Sequence, residues 1–126
     1  MALSVARFES DKLTYKIAVE TAVGPTTVHQ DVTQDNGKLY SIDVENGSSS
    51  TEAYLKITLT DIADGVTVGT THPDIVVFCP TSSNVRWKMP DGITFTKLSF
   101  WAAADPGVSS TAAISGGNVK ATFVTS

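Results

Sequence analysis

The chain has 126 residues, 41% apolar and only 17% charged, with a formal net charge of −4. That length suits a single domain able to bury about two-thirds of the surface its unfolded chain exposes, and Thr and Ser in place of charges suit exposed strand faces. The acidic excess lies before residue 64 and no basic run occurs, which argues against a surface that tracks nucleic-acid phosphates; one cysteine rules out an intrachain disulfide, and with two separated histidines it offers no zinc-ligand spacing.

"MALSVARFES" has too short an apolar run and no charged leader for a signal peptide, and no stretch approaches the ~18 apolar residues of a membrane span. The expectation is synthesis in a cytoplasm without membrane association. Leu3 and Val5 alternate as in a strand, so residues 1–12 read as an N-terminal arm or edge strand and 13–126 as a β-sandwich domain. "KLTYKIAV" sets Leu13, Tyr15, Ile17 and Val19 on one face against Lys12, Thr14 and Lys16. After the break at "VGPTT", residues 28–33 suit a short polar edge strand, and Asn36-Gly37 signals a tight turn. "LYSIDVEN" then points Tyr40, Ile42 and Val44 inward. "AYLKITLTD" does the same with Leu55, Ile57 and Leu59, leaving Tyr54, Lys56 and Thr58 outside. "ADG" turns the chain, "VTVGTTHPD" is mainly loop, and the continuous run "IVVFC" suits a strand covered on both faces, with Cys79 a buried small hydrophobe. Val85, Trp87 and Met89 alternate with Arg86 and Lys88, so Trp87 is expected in the core; "PDG" turns into the next strand, and "NVKATFVT" closes with Val119, Ala121 and Phe123 inward.

In "DGITFTKLSFWAAADPG" (91–107) the apolar parity flips between Phe95 and Leu98. Either a bulge at Thr96-Lys97 shifts the phase, turning Lys97, Ser99 and Trp101 outward, or the strand changes sheets at a sandwich corner with both phases buried. No segment shows a helical period. Seven to nine short strands with frequent turns predict an all-β protein, a single antiparallel sandwich of jelly-roll-like type.

Familiar chemistry finds no anchor. There is no G-x-S-x-G elbow, the serines lie mostly in loops, and the carboxylates are scattered. His29 and His72 suit surface or turn positions better than a catalytic base, so no enzyme activity, catalytic residue, metal or cofactor is expected. "DIADG" lacks the twelve-residue spacing and closing Glu of a calcium loop, and the formal sequon Asn46-Gly47-Ser48 reads as a turn.

Three stretches in order, "GKLYSIDVENGSSSTEAYLKI" (37–57), "VGTTHPDIVVFCP" (68–80) and "MPDGITFTKLSFWAAADPG" (89–107), followed by a closing strand, resemble small β-sandwich proteins encoded among bacteriophage virion genes. The matching residues are Tyr40, Ile42 and Asn46; Tyr54, Leu55 and Lys56; Val68 to Thr71 with Pro73; and Gly92, Ile93 and Phe95. The pattern departs after Phe95, where Lys97 rather than a small residue precedes Leu98. The resemblance implies a structural particle component of the capsid decoration (cement) type on the capsid exterior. Its partners would be the major capsid protein and copies of itself, a trimer being a reasonable closed ring, with no nucleic acid or membrane. The alternative is a tail or fibre attachment module binding a host-surface glycan through Trp101 and Tyr54. The interface candidates are Leu3, Val5, Phe8, Lys97 and Trp101: apolar arm residues, and the outward positions that follow the parity flip.

Overall fold

A computed structural model describes residues 3–9, 14–24, 28–47, 50–114 and 119–126. Among the described residues there are eight strands: β1 (Leu3–Glu9), β2 (Thr14–Val23), β3 (Gly37–Asn46), β4 (Ala53–Thr58), β5 (Ile75–Cys79), β6 (Ser83–Phe95), β7 (Ser99–Ala103) and β8 (Val119–Thr125). They form two antiparallel sheets, a five-stranded one ordered β1-β2-β8-β3-β6 and a three-stranded one ordered β5-β4-β7. The polar segment at 28–32 contributes a single bridge, His29 to Phe100, with Val32 N–H donating to the Leu98 carbonyl at 2.8 Å beside it. It is a vestigial fourth strand against β7. With it, the chain from β2 to β8 winds between the sheets in the manner of a jelly roll. The expected all-β sandwich is what the chain forms.

Strict alternation in β8 sets the register of the larger sheet. Val119, Ala121 and Phe123 are buried, and Phe123 lies opposite Ile42 on one side and Ala18 on the other. From the facing sheet, Leu55, Ile57, Val77, Cys79, Phe100 and Ala102 close the core, and Leu98 joins them from the crossing. Cys79 is fully buried, as expected, and burial raises its thiol pKa.

Several expectations need correcting. In β2 the inward face is Lys16, Ala18 and Glu20, while Tyr15, Ile17 and Val19 lie half-buried on the other side. The polar face can turn inward because its charged members find partners: Lys16 Nζ lies 3.8 Å from Asp35, and Glu20 lies 3.0 Å from His29. Leu13 falls outside the described residues. "PDG" is no hairpin turn; it is a large bulge within β6, where Leu39 pairs with Ile93 but Ser41 pairs with Lys88, so residues 89–92 stand opposite Tyr40 alone. Gly92 sits there at φ 74°, and a Cβ would come within 2.9 Å of both Lys38 Cβ and Tyr40 Cε1. β5 is covered on one face only, with Val76 and Phe78 exposed.

The parity flip is a change of sheet. β6 belongs to the larger sheet and β7 to the smaller, and Thr96–Leu98 makes the crossing. Every residue of β7 is buried. Of the two readings of 91–107, the corner describes the chain.

Candidate functional site

Five strands face three, so the inner side of the larger sheet is not fully covered. At one edge β1 pairs only with β2, with Leu3 opposite Glu20 and Val5 opposite Ala18. Glu20 and Ala18 face the core, so Leu3 and Val5 stand on the same inner side, beyond the reach of the smaller sheet; they are 41% and 45% exposed. At the other edge, Trp87 pairs with Ile42, a core residue, yet is 57% exposed. This overturns the expectation that Trp87 is buried. Its side of the sheet is the expected one, but the facing strand β5 has only five residues against thirteen in β6. The gap is an apolar groove of about 290 Å³, lined by Ile42, Ile75, Val76, Val77, Trp87, Met89 and Ile93.

Around the corner of β5 the apolar surface continues. Val76 and Phe78 are exposed on the outer face of the smaller sheet, and the Phe78 ring lies 5.1 Å from that of Tyr54. Tyr54 O–H donates to Glu52 at 3.2 Å.

The residues expected to form one interface fall into separate places. Leu3 and Val5 share the exposed edge. Phe8 pairs through its backbone with Tyr15, and its side chain falls outside the described residues. Lys97 lies at the crossing, 3.3 Å from Asp61, beside a polar cleft of about 350 Å³ that also involves Asp31, Asp64 and Ser99. Trp101 does point away from the core, opposite Lys56, but it is only 1% exposed. The chain after β7 folds back: Ala104 N–H donates to Ala112 O, and Lys56 Nζ donates to Gly107 O at 2.7 Å. Trp101 therefore cannot serve as a surface anchor or a sugar-stacking platform in this conformation. Burial lowers the Lys56 ammonium below its ordinary pKa, and the Asp105 carboxylate pulls it back in part.

His29 is not the surface residue expected. Its side chain is largely buried, with Nε2 3.0 Å from Glu20 Oε2 and its ring 5.0 Å from Phe100. The contact clips the vestigial strand onto β2. Asn46 is also buried, and its amide donates to the carbonyls of Thr51, Cys79 and Pro80, so it acts as a cross-loop tie. Among the described residues no group of three or more His, Cys, Asp or Glu is arranged to hold a metal, and no helix is long and apolar enough to cross a membrane. The feature best built for function is therefore the pair of uncovered apolar edges, an arrangement suited to binding other protein surfaces.

Comparison of the chain with protein-family models, curated proteins and solved structures found no match.

Proposed function

We propose that the chain is a bacteriophage virion structural protein that decorates the outer head shell and cements it. The observation that carries this reading is the apolar inner face left uncovered at both edges of the larger sheet, at Leu3 and Val5 and at Trp87. A contiguous exposed apolar patch, such as the Trp87 groove, commonly marks a protein contact surface. The order of the sequence stretches that resemble phage virion proteins supplies the context, and fold alone does not. The mechanism is linkage: a domain that binds only the assembled shell stabilises it against dissociation. Its partners are the major capsid protein and further copies of the chain.

The glycan-binding alternative retains the Tyr54–Phe78 pair, since Trp101 is enclosed. Electron microscopy of particles carrying an epitope-tagged copy distinguishes the two. Label over the head shell supports decoration, label at the tail supports attachment, and unlabelled particles remove both.

A further inference from the structure

We infer that copies of the chain join head to tail, β1 of one copy lying parallel along β6 of the next, with Leu3 and Val5 closing the Trp87 groove. The inference deepens the assembly reading above and rests on it only in supposing that copies meet; it does not require a capsid.

Val5, Ala18, Phe123, Ile42 and Trp87 are successive partners across all five strands. The row starts and ends on apolar residues that the smaller sheet leaves in water. Every neighbouring pair in the sheet is antiparallel, so β1 and β6, four steps apart, run in the same direction. A neighbouring copy related by rotation about an axis roughly along the strands would set its β1 beside β6 in parallel and continue the row.

With Val5 set beside Trp87 to continue the row, parallel pairing lays residues 3–7 of β1 along residues 85–89 of β6, just ahead of Pro90. Pro90 lacks an N–H, so strand addition has reason to stop there. The groove of about 290 Å³ is at the lower limit of small-ligand pockets and is lined by aliphatic side chains and one indole, which suits inserted aliphatic side chains. Strand addition at a free edge, with side chains seated in pockets, is a general mode of recognition.

Symmetry selects the second copy's arm over a two-fold contact. A two-fold pairing through β6 would cover Trp87 twice and leave Leu3 and Val5 in water, and pairing through β1 would do the reverse. One head-to-tail contact covers both, and repeated around an axis it closes a ring.

The test uses two exposed positions, so the fold is not at stake. Full-length chain, Val5→Glu and Trp87→Glu are compared by sedimentation velocity at tens of micromolar, with circular dichroism confirming the same strand content. The unaltered chain should sediment as a closed oligomer and each variant as a monomer. Mixing the variants should then give a one-to-one heterodimer, because the intact β1 of Trp87→Glu meets the intact β6 of Val5→Glu. A monomeric unaltered chain, a Val5→Glu variant that still oligomerises, or a mixture that stays monomeric would each overturn the inference. If the heterodimer forms but tagged particles carry no label, the head-to-tail contact stands and the decoration reading falls.

Discussion

The two tryptophans exchange the roles that strand alternation suggests, and this sets the sharpest stability prediction. Trp101 is 1% exposed and Trp87 57% exposed. A tryptophan buries roughly 150–250 Å² when enclosed, and at ~25 cal/mol/Å² that is about 4–6 kcal/mol. Denatured chains already hide part of this area, which brings Trp101→Ala to about 3–5 kcal/mol, the usual range for large aromatic truncations. Trp87 keeps less than half of its surface from water, so Trp87→Ala should cost about 2 kcal/mol or less by the same scaling. For a domain of this size 1 kcal/mol moves Tm by roughly 4 °C, giving falls of about 12–20 °C for Trp101→Ala and under about 8 °C for Trp87→Ala. Both changes are made in a Val5→Glu background, so that contacts between copies do not enter. Thermal unfolding by circular dichroism measures them, and acrylamide quenching of single-tryptophan Phe variants gives an independent reading. Emission from Trp87 should be readily quenched and emission from Trp101 protected. Equal falls in Tm, or a larger fall for Trp87→Ala, would refute both the enclosure of Trp101 and the open groove at Trp87.

Removing one partner of the Glu20–His29 contact should cost about 1–3 kcal/mol, while the double change Glu20→Leu/His29→Leu should cost clearly less than the sum of the single changes; additive costs in a denaturant-based cycle would show that the two do not interact. Gly92→Ala forces a left-handed φ and a close approach to Lys38 and Tyr40, so a loss of at least about 1–2 kcal/mol is expected in urea unfolding. Lys56 has a folded pKa below its ordinary 10.5, so the unfolded chain holds more protons between those two values, and its contribution to stability rises with pH through that window. The stability of the unaltered chain minus that of Lys56→Met should therefore climb as pH approaches 10.5; a flat difference would show that the amine is not desolvated. Ester, peptide and glycan hydrolysis should stay at background, and a rate abolished by His29→Ala or His72→Ala would overturn the non-enzymatic reading.

What the sequence discloses is side-chain parity, and what it hides is cover. β8 and the inward residues Leu55 and Ile57 of β4 read correctly; in β3 Ile42 and Val44 keep the expected phase, but the bulge puts Leu39 in the core in place of Tyr40, which lies half-buried against Tyr15; Asp64-Gly65 turns where "ADG" says it should, with both residues at positive φ. Lys56 lies on the expected face, and Trp101 lies beside it although the chain makes the corner rather than the bulge that would have turned it outward; nothing in "AYLKI" or "LSFWA" announces that both are enclosed, Lys56 reaching the Gly107 carbonyl of the chain after β7. Trp87 failed in the opposite sense: its parity is that of the core, but the facing strand is too short to reach it. β2 is the true inversion. Its apolar positions define a face by composition, and the core took the other because β8 fixes the register and Lys16 and Glu20 find partners from distant segments. Those partners, Asp35 and His29, lie in the polar stretch between β2 and β3, where no periodic pattern marks them.

That polar stretch also accounts for the uncovered edge beside β1. A complete fourth strand against β7 would lie over β2 and shield the sheet toward β1. The segment 28–36 is instead rich in polar and turn-forming residues, with Asp31 and Gln34 at positive φ, and only His29 makes a bridge. The smaller sheet thus stays three strands wide, and Glu20–His29 is the clip that holds what remains of the fourth strand in place. Beyond that clip no described residue covers Leu3 and Val5 on the inner side of β1. The exposure of Leu3 and Val5 is therefore a consequence of where this sequence declines to form a strand, and a second copy offering an open groove of apolar side chains supplies the surface that the missing strand does not.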